Sequence, residues 1–472
     1  MVKTPQSSKE VIDKQIARAI YATNCSFRSI EHPQVKKAIA LLRPGYPPPS
    51  RKEVSDRLLD EVYQEEKEKC FSQLANSYVN LSIDGWSNIH NEPIICATIT
   101  TERGEVFLFD TIDTTGKPHT SAYLTELVID LIERLKTPYS CRVASVVTDN
   151  AANMAKMRKN ITNANTITYG CSAHLLNLLS QDLDMGTVKE HVVQIIKYFR
   201  NNHAASALYK KEGGKALVLP QDVRWNTLND CFEVYISEWQ KLLKICEENR
   251  NSIDTAIQRK IENIVLKRSV EDFLRLLKPI SITLDSLQKN NASLSDAVKA
   301  WKGLEAKFEE TEISIRQLAM FKKRYEQAMT PSHFLAYLLD PTHTTNHLSE
   351  EEEESALEEA RTQYEGSGLL PLIIKLKSKS HPFKSVMFSE EILQNVTAIE
   401  WWQSQKNVFD EDTQDKIYPI LRQLFGAIAS SASVERVFST FGFVHSKIRN
   451  RLGTEKAGKL VFLFKYYNCN TI

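Results

Sequence analysis

Residues 78–112 read YVNLSIDGWSNIHNEPIICATITTERGEVFLFDTI, and three β-rich runs lie within them. In YVNLSIDGW, Val79, Leu81 and Ile83 alternate with polar residues at the period of two that a strand imposes. PIICATIT (93–100) and EVFLFDTI (105–112) are joined by the short TERG turn, so the three runs predict an antiparallel meander. Downstream, helix alternates with strand. SAYLTELVIDLIERL (121–135) carries Leu124, Leu127, Leu131 and Leu135 at helical spacing, and RVASVVTD (142–149) reads as a buried strand. TITYG (166–170) is a short strand running into a helix at CSAHLLNLLSQDL (171–183).

The order is three antiparallel strands, helix, strand, helix, strand, helix, an α/β arrangement that matches the order of the RNase H-like fold. Asp84 closes the first strand and Asp149 closes the first strand after the meander. In that fold the two strands are neighbours. Carboxylates brought that close repel and raise each other's pKa unless a cation lies between them, so the pair predicts Mg²⁺ or Mn²⁺, which favour hard oxygen ligands. Taken singly, each has a simpler reading: Asp-Gly is a common turn pair, and Asp-Asn before an Ala-rich helix is an ordinary N-cap.

Outward from this centre the chain turns helical. Helix-like segments cover about 8–23, 32–42 and 51–76, and RPGYPPPSRKEV breaks them, since Pro47–Pro49 cannot continue a helix and Ser50 can cap the next. From 227 to 400 the pattern is nearly all helical, with a core-facing stripe at Leu228, Phe232, Tyr235, Trp239, Leu242 and Cys246. Further stripes run through Ile257, Ile261 and Ile264, and through Val298, Trp301, Leu304 and Phe308. The acidic run Glu350–Glu354 is most simply a solvated loop or helix end. The expected division is 1–76 N-terminal helices, 77–226 the first part of the sheet domain, 227–400 an all-α insertion, and 401–472 a C-terminal region.

The chain has 472 residues, 42% of them hydrophobic, enough to bury ordinary cores. Its 60 Lys and Arg nearly cancel its 59 Asp and Glu, so any affinity for a polyanion must come from local patches. One such patch is Lys447, Arg449, Arg451, Lys456, Lys459 and Lys465, which face only Glu455 across the same stretch. The eight cysteines are scattered without a CxxC pair, which argues against a disulfide scaffold or a zinc finger and for reduced thiols. No stretch approaches the roughly 20 apolar residues of a membrane span, so a soluble, intracellular protein is expected. The last helix, AGKLVFLFKYY, is apolar around most of its circumference and must bury itself against the core or a partner subunit.

SIDGWSN (82–88), VVTDNAANM (146–154), YGCSAHLLNLL (169–179), DVRWNT (222–227), LLDP (338–341), Trp401-Trp402 and SSASVERVFSTFGFVHSKIRNRL (430–452) together resemble the ordered motif set of hAT transposases. The linker GYPPPSRKEV also resembles the segment before that family's catalytic core. The resemblance implies an RNase H-like mixed sheet domain, preceded by helices and interrupted by a large all-α insertion, with the last catalytic helix supplied by the C-terminal dimerisation region. It implies that Asp84 and Asp149 are the first two acids of a DDE triad and Glu435 the third, catalytic and metal-holding together. Cys171 and His174 match a CxxH element near the scissile phosphate. Arg224 and Trp225 match an RW element, in which the tryptophan stacks on an extruded base and the arginine pairs with phosphate. Arg436, Lys447, Arg449 and Arg451 complete the expected DNA contacts. A buried core tryptophan and a helix-face histidine are the plainer readings of Trp225 and His174.

A typical member also carries an N-terminal BED zinc finger, and this sequence has no Cys and His set for one. Two functional classes therefore stand as expectations. One is a Mg²⁺- or Mn²⁺-dependent DNA transposase, nuclear and dimerising through its C-terminal region. The other is a domesticated, non-catalytic dimerising protein associated with DNA or chromatin.

Overall fold

The structure, a computed structural model, describes residues 5–161, 166–183, 185–220, 226–311, 313–343, 348–446 and 452–469. The protein is mixed α/β, mostly helical, with one five-stranded sheet among the described residues. The chain divides into two compact units: Met1–Gly170 together with Ala360–Ile472, and Cys171–Glu359. The second unit thus begins before 227 and ends before 400.

The sheet lies in the first unit. Its strands are β1 (Tyr78–Ser87), β2 (Pro93–Thr101), β3 (Val106–Asp113), β4 (Arg142–Thr148) and β5 (Ile167–Gly170), in the order β3-β2-β1-β4-β5. The meander is antiparallel, as its short turns require, with Gly104 at φ 79° in the TERG turn. β4 and β5 join in parallel beside β1. Helix Ser121–Tyr139 makes the crossover from β3 to β4, burying Leu124, Leu127, Leu131 and Leu135 as its spacing predicts.

β1 differs from its sequence reading in two ways. Asp84 does not close it, because pairing with β2 continues through Gly85↔Ile95 and Trp86↔Ile94 to Ser87↔Pro93. Nor do its alternate polar residues face water: Asn80 and Ser82 are as buried as Val79, Leu81 and Ile83. The strand is central and covered on both faces, so period two here separates two interiors.

The covering helices come from both ends of the chain. Ser50 caps helix Arg51–Ser55 through a capping box, accepting from the Glu53 N–H while the Glu53 carboxylate accepts from the Ser50 N–H. Helices Gln6–Ala22 and Arg57–Ser72 pack on the C-terminal helix Thr454–Cys469, which also lies against helix Ala432–Val444 and β3. Leu460, Val461, Phe462 and Leu463 of that helix are buried in the chain's own core, so its apolar surface is largely spent within the subunit. Lys456 and Lys459, read as part of a basic patch, form ion pairs with Asp56 and Asp60.

The second unit is helical. Helix Thr227–Glu248 buries Phe232, Tyr235, Leu242 and Cys246, while Trp239 donates its indole N–H to the Ile261 carbonyl at 2.9 Å. Helix Leu294–Glu310 buries Val298, Trp301, Leu304 and Phe308 as one stripe. Within the acidic run, Glu352 is more than a solvated charge: it pairs with Lys302 at 2.7 Å and accepts from the Tyr325 hydroxyl at 2.5 Å. Among the described residues no helix is long and apolar enough to cross a membrane.

Candidate active site

Parallel pairing sets the first two acids side by side. Ile83 of β1 registers with Thr148 of β4, and Asp84 and Asp149 are the next residues along each chain. Asp84 lies within a paired strand, opposite Cys96 of β2, so it is not the first residue of a turn. Its Oδ1 accepts from the Gly85 N–H at 2.7 Å. Asp149 lies just beyond β4, and its Oδ1 accepts from the Ala151 N–H at 3.1 Å. The N-cap of the following helix, Ala152–Asn160, is Ala151, which has no side-chain cap, so Asp149 does not hold the ordinary N-cap position.

The backbone around Asp149 is fastened from behind. Arg158 Nη1 donates to the Asp149 carbonyl at 2.6 Å and to Thr148 Oγ1 at 2.5 Å. Gly170, ending β5, leaves room for this turn: a Cβ there would stand 1.9 Å from Asn150 Oδ1. A side chain at 170 would require the Asn150 amide to swing away.

Glu435 lies in the first turn of helix Ala432–Val444, which packs on β1 and β2. Val434, Val437, Phe441 and Val444 enter the core and leave Glu435 half-buried on the flank. Trp86, two residues past Asp84 and on the same face of β1, grips this helix: it stacks on Phe438 at 5.7 Å and meets Phe441 edge-on at 5.2 Å. Ser433 Oγ lies 2.9 Å from Thr98 Oγ1 of β2.

Electrostatics link the three acids through Asp84. Burial first, and then the charge of Asp149, push the Asp84 carboxyl up to about 7, against the pull of the Gly85 N–H. Part of its side chain still reaches the surface, yet the carboxyl group itself is closely surrounded. Burial and the charge of Asp84 push Glu435 up to about 8, opposed by Arg436. Among the described residues, no three His, Cys, Asp or Glu side chains are grouped so as to hold a metal ion unaided. The acids form two linked pairs with Asp84 common to both.

The other expected site residues are distributed differently. Cys171 and His174 belong to the second unit, where Cys171 is buried and its Sγ accepts from the His174 N–H at 3.3 Å, capping helix Ser172–Asp182. Their three-residue spacing is, locally, that of an N-cap and its N3 residue. Arg436 follows Glu435 and is exposed. Arg224, Trp225, Lys447, Arg449 and Arg451 lie outside the described residues. Trp86 and the buried polar residues Asn80, Ser82 and Ser145 were not singled out from the sequence. For the three on β1 the signal is the period of two running Asn80, Ser82, Asp84, Trp86 along one face of the strand.

Residues 49–200 match the family model of a domain of unknown function, DUF659, and residues 383–467 match that of the hAT family C-terminal dimerisation region. No curated protein matches the chain. Asp84 and Asp149 fall inside the first match and Glu435 inside the second. The dimerisation region supports homo-oligomerisation. With both matches in the order that the sequence motifs follow, the chain carries a hAT family C-terminal dimerisation region behind a DUF659 domain, a combination that supports a hAT-family transposase-like protein.

Proposed function

We propose that the chain cleaves and joins DNA phosphodiesters as a hAT-type transposase on an RNase H-like core, in the nucleus and as a homodimer or higher homo-oligomer. The observation that carries this reading is the placement of Asp84, within β1, beside Asp149, just beyond the parallel strand β4, with Glu435 on the helix packed on β1 and β2 and electrostatically coupled to Asp84. Burial first, and then the charge of a neighbouring acid, raises the Asp84 and Glu435 carboxyls, and a divalent cation between them would favour their ionised forms. Carboxylates are hard oxygen donors, the ligand chemistry that suits Mg²⁺ or Mn²⁺.

Asp84, Asp149 and Glu435 would hold the ions. When bound, they supply activation of the attacking water or 3′-hydroxyl and stabilisation of the leaving oxygen. The protein contributes orientation: the Gly85 and Ala151 N–H groups each fix one carboxylate oxygen, and Trp86 fixes the helix that bears Glu435. Arg436, His174, Arg224, Trp225, Lys447, Arg449 and Arg451 are assigned to DNA contact by the family motif and the basic stretch, whereas Cys171, buried, serves as the cap of its helix. One observation favours the non-catalytic, DNA- or chromatin-associated alternative: no preassembled three-ligand group exists among the described residues.

Incubating the purified chain with linear, pre-nicked and hairpin DNA separates the two readings. The catalytic reading expects slow cleavage that requires Mn²⁺ or Mg²⁺ and stops with chelator, and DNA binding that weakens steeply with salt as backbone phosphate contacts are screened. Well-folded protein that is inert on all three substrates would favour the alternative.

A further inference from the structure

Glu435 follows Asp149 by 286 residues (435 − 149), with the whole second unit between them in sequence. Chain connectivity therefore does nothing to align the third acid with the first two. Apolar burial of Val434, Val437 and Phe441 holds the helix to the sheet, but burial is non-directional and permits sliding. Hydrogen bonds impose register.

Such bonds are concentrated just ahead of Glu435. Gln423 Nε2 donates to the Ala144 carbonyl of β4 at 3.1 Å. Asn80 Nδ2 of β1 donates to the Gly426 carbonyl, and the Asn80 Oδ1 accepts from Ser145 Oγ of β4. The Tyr169 hydroxyl of β5 donates to the Ile428 carbonyl at 2.7 Å and lies 3.1 Å from Ser145 Oγ. Thr98 Oγ1 of β2 meets Ser433 Oγ at 2.9 Å. The segment from Gln423 to Ser433 is thus tied in turn to β4, β1, β5 and β2. Asn80, Thr98 and Ser145 have no exposed surface and Tyr169 has 1%. A one-residue slip would strand buried donors and acceptors together, which makes the observed register strongly preferred.

We propose that this polar stripe, Asn80, Thr98, Ser145 and Tyr169, is a positioning device that sets Glu435 in register with Asp84 and Asp149. Its members touch main chain and hydroxyl groups of the 423–433 segment and are positioning residues, not catalytic ones. The inference rests on the catalytic reading for its purpose, while the tether itself is testable without it.

The test compares Tyr169→Phe, Thr98→Val and Thr98→Ser with the unaltered full chain, by amide hydrogen exchange, thermal melting and Mn²⁺ titration. Loss of one directional bond should raise exchange across residues 426–444 by about fivefold, leave the β2–β3 amides unchanged, and weaken Mn²⁺ binding by about fivefold to tenfold. Thr98→Ser keeps the hydroxyl and should restore both readings. Folded Tyr169→Phe and Thr98→Val proteins with unchanged exchange in this segment, or with exchange raised uniformly, would overturn the proposal. Should Tyr169→Phe fail to fold, the Thr98→Val and Thr98→Ser pair decides the matter. If the unaltered chain takes no Mn²⁺, the catalytic reading fails on its own, and exchange still decides whether the tether exists.

Discussion

Glu435→Gln abolishes metal-dependent cleavage, by on the order of 10²-fold or more, and makes the folded chain more stable at pH 8. The two effects share one cause. Burial and the charge of Asp84 hold the Glu435 carboxyl at about 8, and burial and the charge of Asp149 hold Asp84 at about 7. An unfolded chain releases these protons near the ordinary carboxyl pKa of about 4. Between there and pH 8 the folded protein binds more protons than the unfolded one, so its stability is full at low pH and falls as pH rises through 7 and 8. Glutamine has no proton to lose. Melting in the presence of chelator should show the variant above the unaltered chain at pH 8, by on the order of 2 °C after allowance for solvent screening, with the gap closing toward pH 5. A gap that stays constant with pH would show that Glu435 is not held protonated.

A chain ending at Asn407 should lose the fold of the sheet unit rather than yield a stable monomer. The missing segment carries helices Glu411–Gly426, Ala432–Val444 and Thr454–Cys469, whose Leu421, Leu424, Val434, Val437, Phe441, Val444, Leu460, Val461 and Leu463 are all buried. At ~1.5–3 kcal/mol for each large side chain, their loss exceeds the whole stability of a typical domain, about 5–15 kcal/mol. Circular dichroism and light scattering on both chains check this. The full chain should scatter as a dimer or larger, and the shortened chain should aggregate or melt without cooperativity. A soluble, cooperatively melting short chain would mean that the C-terminal segment is an appendage.

The local signals in the sequence were sound. The three runs of 78–112 form the meander, the leucines of 121–135 face the core, and Ser50 caps its helix, because each depends on neighbours a few residues away. What the sequence could not display is what arrives from far along the chain. Asn80 and Ser82 look like a solvent face until residues 423–433 return to cover them. The last helix looks like an unpaired apolar surface until helices Gln6–Ala22 and Arg57–Ser72 pack on it, and Lys456 and Lys459 look free until Asp56 and Asp60 reach them. Asp84 and Asp149 were legible as a pair from strand order alone. Glu435 was not: one glutamate on a helix flank carries no local mark, and only the family motif singles it out.

On the catalytic reading, Asp84, Asp149 and Glu435 together hold a divalent cation. Titration calorimetry with Mn²⁺ at pH 8, on the full chain and on Asp84→Ala, tests it most directly, since Asp84 is the acid coupled to both others. The expected result is saturable binding that weakens toward pH 6, as protons reclaim the carboxylates, and that disappears in Asp84→Ala. Equal Mn²⁺ binding by the two proteins, or none by a well-folded full chain, would contradict it.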